Sequence, residues 1–248
     1  MIICKSEREI RYMREAGRVV AGALAEVAKA IRPGVTTAEI NRVAEEYILA
    51  KGAKPAFKGL YGFPAAVCAS VNEQVVHGIP GLKKLENGDI ISIDVGAEIN
   101  GFFGDAAQTF PVGEITPELQ KIIDVTKEAL DRGIKMARNG NRLSDISHAV
   151  QSFVEKNGYS VVRDYVGHGI GSKMHEDPQV PNFGRPGRGP RLKTGMTLAI
   201  EPMVNMGTYE VLTLPDNWTV VTRDGKPSVH FEHTIVITDG DPVILTML

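Results

Sequence analysis

The sequence predicts an α+β fold in which an antiparallel sheet is covered by helices on one face. Two observations carry this expectation. Runs with helical apolar spacing come in two pairs, each followed by strand-like runs, so helices and strands are segregated rather than alternating. Asn100-Gly101 joins two strand-like runs, and that dipeptide favours a two-residue type I′ hairpin turn. The order suggests a structural duplication, although the halves share no visible identity. No Pro- or Ser-rich linker divides them, so residues 1–248 read as one domain.

The first helix starts at Ser6, with Glu9 three residues on as a capping box. Ile10, Met13, Val20, Leu24, Val27 and Ile31 recur near helical spacing, and Pro33-Gly34 ends the run. Thr36 and Glu39 repeat the capping signal for a second helix that stops at Gly52. Residues 53–65 read as loop and 66–72 as strand. The hairpin takes 89–99 and 102–110. Thr116 followed by Pro117 opens a third helix ending near Asn139-Gly140, and a fourth runs from about Ser144 to Asn157. Strand signals follow near 159–166, 196–204, 217–223 and 229–238.

Of the 248 residues, 43% are hydrophobic and 23% charged, as in ordinary globular proteins with a substantial core. A formal net charge of −2 gives no general case for binding nucleic acid or an anionic membrane. No apolar run is long enough to span a bilayer, and Lys5 interrupts the N-terminus before a signal-peptide core can form. Cys4 and Cys68 lie far apart and outside any CxxC pattern, the usage of a cytoplasmic protein with reduced thiols.

Five scattered side chains stand out: Asp94, Asp105, His168, Glu201 and Glu232. Four carboxylates and an imidazole are a hard, oxygen-rich set, unlike the Cys/His set of a structural zinc site. Their formal charge of about −4 would be cancelled by two divalent cations. With a two-residue turn at 100–101, Ile99 pairs with Phe102 and Asp105 faces Gly96. Asp94 and Asp105 then share a face as diagonal neighbours, roughly 7–8 Å apart at the backbone. Glycines flank His168 in GHGIG, so the backbone there can approach a ligand closely. No Lys-Ser/Thr follows, which weighs against a phosphate loop. Thr197, Ala199 and Glu201 share one strand face, opposite Leu198 and Ile200. Phe231, His233 and Ile235 oppose Glu232. Taken singly, Glu201 and Glu232 also fit ordinary strand glutamates. His175, in MHEDP, fits either a surface site or an active-site imidazole, and His77 is ambiguous alone. His148 reads as structural or exposed, and His230 and His233 read as structural.

Together, SVNEQVVHGIPG, DIISIDVG…FFGDAAQTFPVG, GHGIG…HEDP, LAIEPM and HFEHTIVIT resemble the type I methionine aminopeptidases, in the short bacterial form, over essentially the whole chain. The resemblance implies a pseudo-two-fold "pita-bread" fold and removal of the N-terminal methionine from nascent proteins, with a small second residue preferred. It implies two divalent metal ions (Fe, Mn, Co or Zn), with Asp94 on one, His168 and Glu201 on the other, and Asp105 and Glu232 bridging. The metals would activate a water, with Glu201 as general base. It also makes His77 and His175 active-site histidines that bind substrate without ligating metal. By matching position, Phe57, Leu60, Phe63, Cys68, Met174 and Trp218 are the methionine pocket. Leu60 stands where the family pattern has a tyrosine, and Phe63 lacks a phenol.

The partners implied are N-terminal peptides of nascent proteins, met at the ribosome, by a monomer in the cytoplasm with no direct contact to nucleic acid or membrane. Three alternatives share the fold: an Xaa-Pro aminopeptidase or prolidase, a non-catalytic peptide-binding member, and a metal-independent creatine hydrolase. The filled ligand set weighs against the last two.

Overall fold

The computed structural model describes residues 1–248. Local capping chemistry sets the helices where the sequence places them. Ser6 caps α1 (Glu7–Ala30), and the Glu9 carboxylate accepts from the Ser6 N–H at 2.7 Å. Thr36 and Glu39 do the same for α2 (Thr37–Ala50), at 2.8 Å. Each box satisfies backbone donors that a helix start leaves unpaired. Thr116 caps α3 (Pro117–Met136), and α4 (Leu143–Lys156) begins where Asp145 accepts from the Arg142 N–H at 2.8 Å.

The strands of the first half are β1 (Lys54–Pro55), β2 (Val67–Val71), β3 (Gln74–Val76), β4 (Ile90–Ile99) and β5 (Phe102–Pro111). Asn100 and Gly101 sit at φ of 55° and 77°, the left-handed pair that a type I′ turn requires. Ile99 therefore pairs with Phe102 and Gly96 with Asp105, the register expected from sequence. The second half holds β6 (Ser160–Val161), β7 (Gly167–Gly169), β8 (Glu176–Val180), β9 (Thr197–Ile200), β10 (Met203–Asn205), β11 (Val211–Thr213), β12 (Val220–Thr222), β13 (Ser228–His230), β14 (His233–Val236) and β15 (Val243–Ile244).

All strand pairs are antiparallel. β1, β4 and β2 lie side by side with β5 on β4, and β15, β14, β9, β7 and β8 form the main sheet of the second half. α1 and α2 pack on the first sheet around Val20, Ile40, Ile91 and Ile93. α3 and α4 cover the second around Ile122, Ile146, Leu198 and Ile200. The duplicated plan is thus realised as two helix-covered halves, the α+β pita-bread arrangement.

Two expected long strands are each broken in two. β9 and β10 are separated by Glu201-Pro202, and β13 and β14 by Phe231-Glu232. The register is the same on both sides of the gap: Ile200 pairs with His233, and Met203 with His230. Pro202 has no N–H to donate, so the ladder opens there. The strand expected over 159–166 shortens to β6, while the glycine-rich GHG segment itself becomes β7.

The halves meet along β5. Asp105 N–H donates to Thr234 Oγ1 at 3.0 Å, and that hydroxyl donates back to Asp105 O at 2.8 Å. Two residues along, Ala107 O accepts from the Glu232 N–H at 2.9 Å. Two further, Thr109 Oγ1 accepts from the His230 N–H at 3.0 Å and donates to His230 O at 2.9 Å. This seam locks Asp105, Glu232 and His230 into one register. On its other side β5 presses against α1: a Cβ on Gly104 would lie 2.7 Å from the Gly17 nitrogen, so only glycine permits the approach. No helix is long and apolar enough to cross a membrane.

Candidate active site

A cavity of about 760 Å³ opens at the junction of the halves, and Asp94, Asp105, His168, Glu201 and Glu232 all line it. Asp94 and Asp105 come from the β4–β5 hairpin on one face, as its register requires. His168 comes from β7, whose partner β9 delivers Glu201 just past its last residue. Glu232 lies immediately before β14, facing Glu201 across the gap that Pro202 creates.

His168 Nε2 stands 3.6 Å from Asp105 Oδ2 and 3.6 Å from Glu201 Oε1. Its Nδ1 lies 2.8 Å from Gly169 O, an acceptor only, so Nδ1 carries the proton and Nε2 keeps its lone pair toward the carboxylates. The spacing is too long for strong charge-assisted hydrogen bonds and suits ligand atoms arranged round a shared cation. The ligand atoms of Asp105, His168 and Glu232 lie within 4.8 Å of one another.

Electrostatics point the same way. Four buried side-chain atoms in the chain lack a hydrogen-bond partner: Asp94 Oδ1, Asp105 Oδ1 and Glu232 Oε1, all on residues lining this cleft, and His230 Nε2, which lies beside Glu201. Burial drives the Asp94 and Glu232 carboxyls well above the ordinary carboxylate range, and neighbouring carboxylates push them further. Asp105 is also raised by burial, with His168 opposing the shift. Burial resists charge on His168, but Asp105 and Glu201 outweigh it and raise its pKa. Several buried, unpartnered acids are costly unless cations neutralise them. The donor set therefore fits divalent metals.

His77 and His175 also line the cavity. Burial lowers the pKa of both, for His175 with help from the adjacent His168, so both imidazoles are neutral near pH 7. His77 adopts a left-handed φ of 59°, a strained setting of the kind found at functional sites. Its ring meets Tyr165 and Trp218 edge-on, at 5.5 and 6.4 Å between centroids. The His175 ring lies 4.5 Å from that of His168.

Phe57, Leu60, Phe63, Cys68 and Trp218 form the apolar end of the cavity. Met174 does not line it. It is buried beside Gly96 in the same apolar cluster as Phe57. Sequence reasoning passed over Tyr61, whose ring stacks on His175 at 5.9 Å. A tyrosine thus stands one position beyond Leu60, which the departure at Leu60 could have signalled. His230, which the sequence reads as structural, is 1% exposed and its Nε2 lies 3.5 Å from Glu201 Oε2.

Comparison with known proteins gives the same picture. The profile of metallopeptidase family M24 matches residues 11–239. A methionine aminopeptidase of Clostridium perfringens is 58% identical over 248 residues, covering 100% of both chains. Methionine aminopeptidase 1 of Bacillus subtilis is 57% identical over 246 residues, covering 99% of each. The crystal structure of methionine aminopeptidase from Thermotoga maritima superposes with a TM-score of 0.99 at 50% identity, over 100% of both chains. The chain belongs to metallopeptidase family M24 and, within it, to the type I methionine aminopeptidases, metal-dependent hydrolases that remove N-terminal methionine.

Proposed function

We propose that methionine removal takes place in the cleft at the junction of the halves, with Asp94, Asp105, His168, Glu201 and Glu232 holding two divalent cations. The observation that carries this reading is the set of buried carboxylate oxygens without partners, all facing one cavity. Iron, manganese, cobalt and zinc all suit carboxylate and imidazole donors. When bound, such ions supply an acidified water and polarise the scissile carbonyl.

The chain's own groups do the rest. Glu201 takes the proton of the attacking water as general base. Its exposure is intermediate and its carboxylate faces the cavity. Neutral His175 donates to the oxygen that gains charge in the transition state. Neutral His77 hydrogen-bonds the scissile amide and orients it. Phe57, Phe63, Cys68 and Trp218 enclose the thioether side chain, for which soft and aromatic walls are suited. A small second residue is preferred, the specificity that the family resemblance implies. The partners are N-terminal peptides of newly made chains, met at the ribosome by a cytoplasmic monomer without nucleic acid or membrane contact.

The test is release of free methionine from Met-Gly-Met by chelator-treated protein, with Mn(II), Fe(II) or Co(II) restored anaerobically. Metal-dependent release that disappears in Asp105→Asn supports the site. Full release by that variant would remove Asp105 from the ligand set. Cleavage of Xaa-Pro peptides in preference to Met-Gly would redirect the substrate assignment.

A further inference from the structure

We infer that His230 is a metal ligand, forming with Glu201 and Glu232 a second imidazole-bearing cation position beside Glu201. The inference rests on the metal centre proposed above and adds a residue outside its five-residue set. His230 is 1% exposed, and its Nε2 has no hydrogen-bond partner. A buried polar atom left unpaired is destabilising, so its retention at this spot needs a counterpart. That atom points at Glu201 Oε2 from 3.5 Å, while the other oxygen, Oε1, faces His168 from 3.6 Å. Glu201 is thus held between two imidazoles.

The spacing discriminates between roles. A charge-assisted hydrogen bond would close to roughly 2.7–2.9 Å. At 3.5 Å the two donor atoms stand at a separation that two ligands of one cation can share. Glu232 supplies the third donor: ligand atoms of Glu201, His230 and Glu232 lie within 4.8 Å of one another, as do those of Asp105, His168 and Glu232. Glu232 belongs to both triads. The scaffold is fixed independently of the ring, because Thr109 bonds both the N–H and the carbonyl of His230. A borderline divalent cation such as zinc, with mixed nitrogen and oxygen preference, is the class of ion such a triad takes.

The test uses the full chain with 15N-labelled histidine, stripped by chelator and titrated with Zn(II) alone. Long-range proton–nitrogen spectra follow each imidazole nitrogen directly. The expected result is that two Nε2 resonances move to metal-bound positions, one missing in His168→Gln and the other in His230→Gln. Calorimetry with Zn(II) should show His230→Gln weakening at least one binding step by more than about tenfold. His230→Asn serves as a second variant should the first fold poorly, and the wild-type spectrum itself counts the bound imidazoles. A shift confined to His168 would overturn the inference while leaving the metal centre intact. A wild-type protein in which no imidazole responds to zinc would overturn the metal centre and, with it, this ligand.

Discussion

Thr234 holds the backbone of Asp105 from both sides, accepting from its N–H at 3.0 Å and donating to its carbonyl at 2.8 Å. Asp105 faces Gly96 across the hairpin, and its outward backbone groups find their partner in a hydroxyl from the other half of the chain. One side chain thereby joins the halves at the atom level and fixes a proposed ligand.

Replacing Thr234 with Val keeps the shape and removes both bonds. The buried N–H and carbonyl of Asp105 are left unpaired, so destabilisation of about 2–4 kcal/mol is expected. Urea unfolding of the variant, compared with wild type at constant m, measures it. A loss below about 0.5 kcal/mol, the scatter of surface substitutions, would show that the seam is held elsewhere.

Asp105→Asn should act in opposite directions on the two forms of the protein. In the chelator-stripped protein it relieves a crowd of buried acids, so the melting temperature should rise by a few degrees, on the order of 1 kcal/mol. With Mn(II) or Co(II) present, the stabilisation that metal gives wild type should largely vanish. Calorimetric scans with and without metal check both signs.

The same crowding sets a pH dependence. Asp94 and Glu232 have folded pKa values raised above the ordinary 3.8 and 4.5, by burial first and then by neighbouring carboxylates. The folded stripped protein therefore binds more protons than the unfolded chain once pH passes those ordinary values. Stability from these groups is present at low pH and is lost as pH rises through the raised values. Cations replace those protons, so the gap in melting temperature between loaded and stripped protein should widen as pH rises, with proton release on loading. A gap that is constant across pH 5 to 8 (a window of about three units) would contradict this.

Gly104 sets the distance between β5 and α1. An added Cβ would meet backbone, 2.7 Å from the Gly17 nitrogen and 3.0 Å from the Ala16 carbon, and neither can swing aside. Gly104→Ala should cost about 1–3 kcal/mol or more. It should also reduce metal affinity, since Asp105 is the next residue. Denaturant melts and a metal titration read the two effects. A neutral variant would mean that α1 slides without cost.

Much of the fold is written locally. Ser6 with Glu9, Thr36 with Glu39, and Thr116 with Pro117 set three helix starts through bonds that span three residues. Asn100-Gly101 fixes a turn and, with it, the relation of Asp94 to Asp105, because side chains alternate along paired strands. Glu201 and Glu232 were legible as residues, but their convergence was not. It depends on Pro202 opening a ladder whose register continues beyond the gap, a consequence that appears only once β9 and β14 are paired.

The histidines show the remaining division. Sequence read His230 as structural, since nothing local separates it from His233. The fold turns the two apart: His233 Nδ1 meets Thr246 at 2.9 Å, while His230 Nε2 faces Glu201. The amino-acid sequence by itself determined the helices, the hairpin, the five acid and imidazole residues in their local settings, and the family they resemble. The tertiary structure alone decided that Glu201 stands between two imidazoles, that Met174 packs beside Gly96 instead of lining the cavity, and that Tyr61 stacks on His175. Caps and turns depend on neighbours a few residues apart. A metal cleft depends on distances between residues far apart in the chain, Asp105 and Glu232 among them, which only the packing of one half against the other can set.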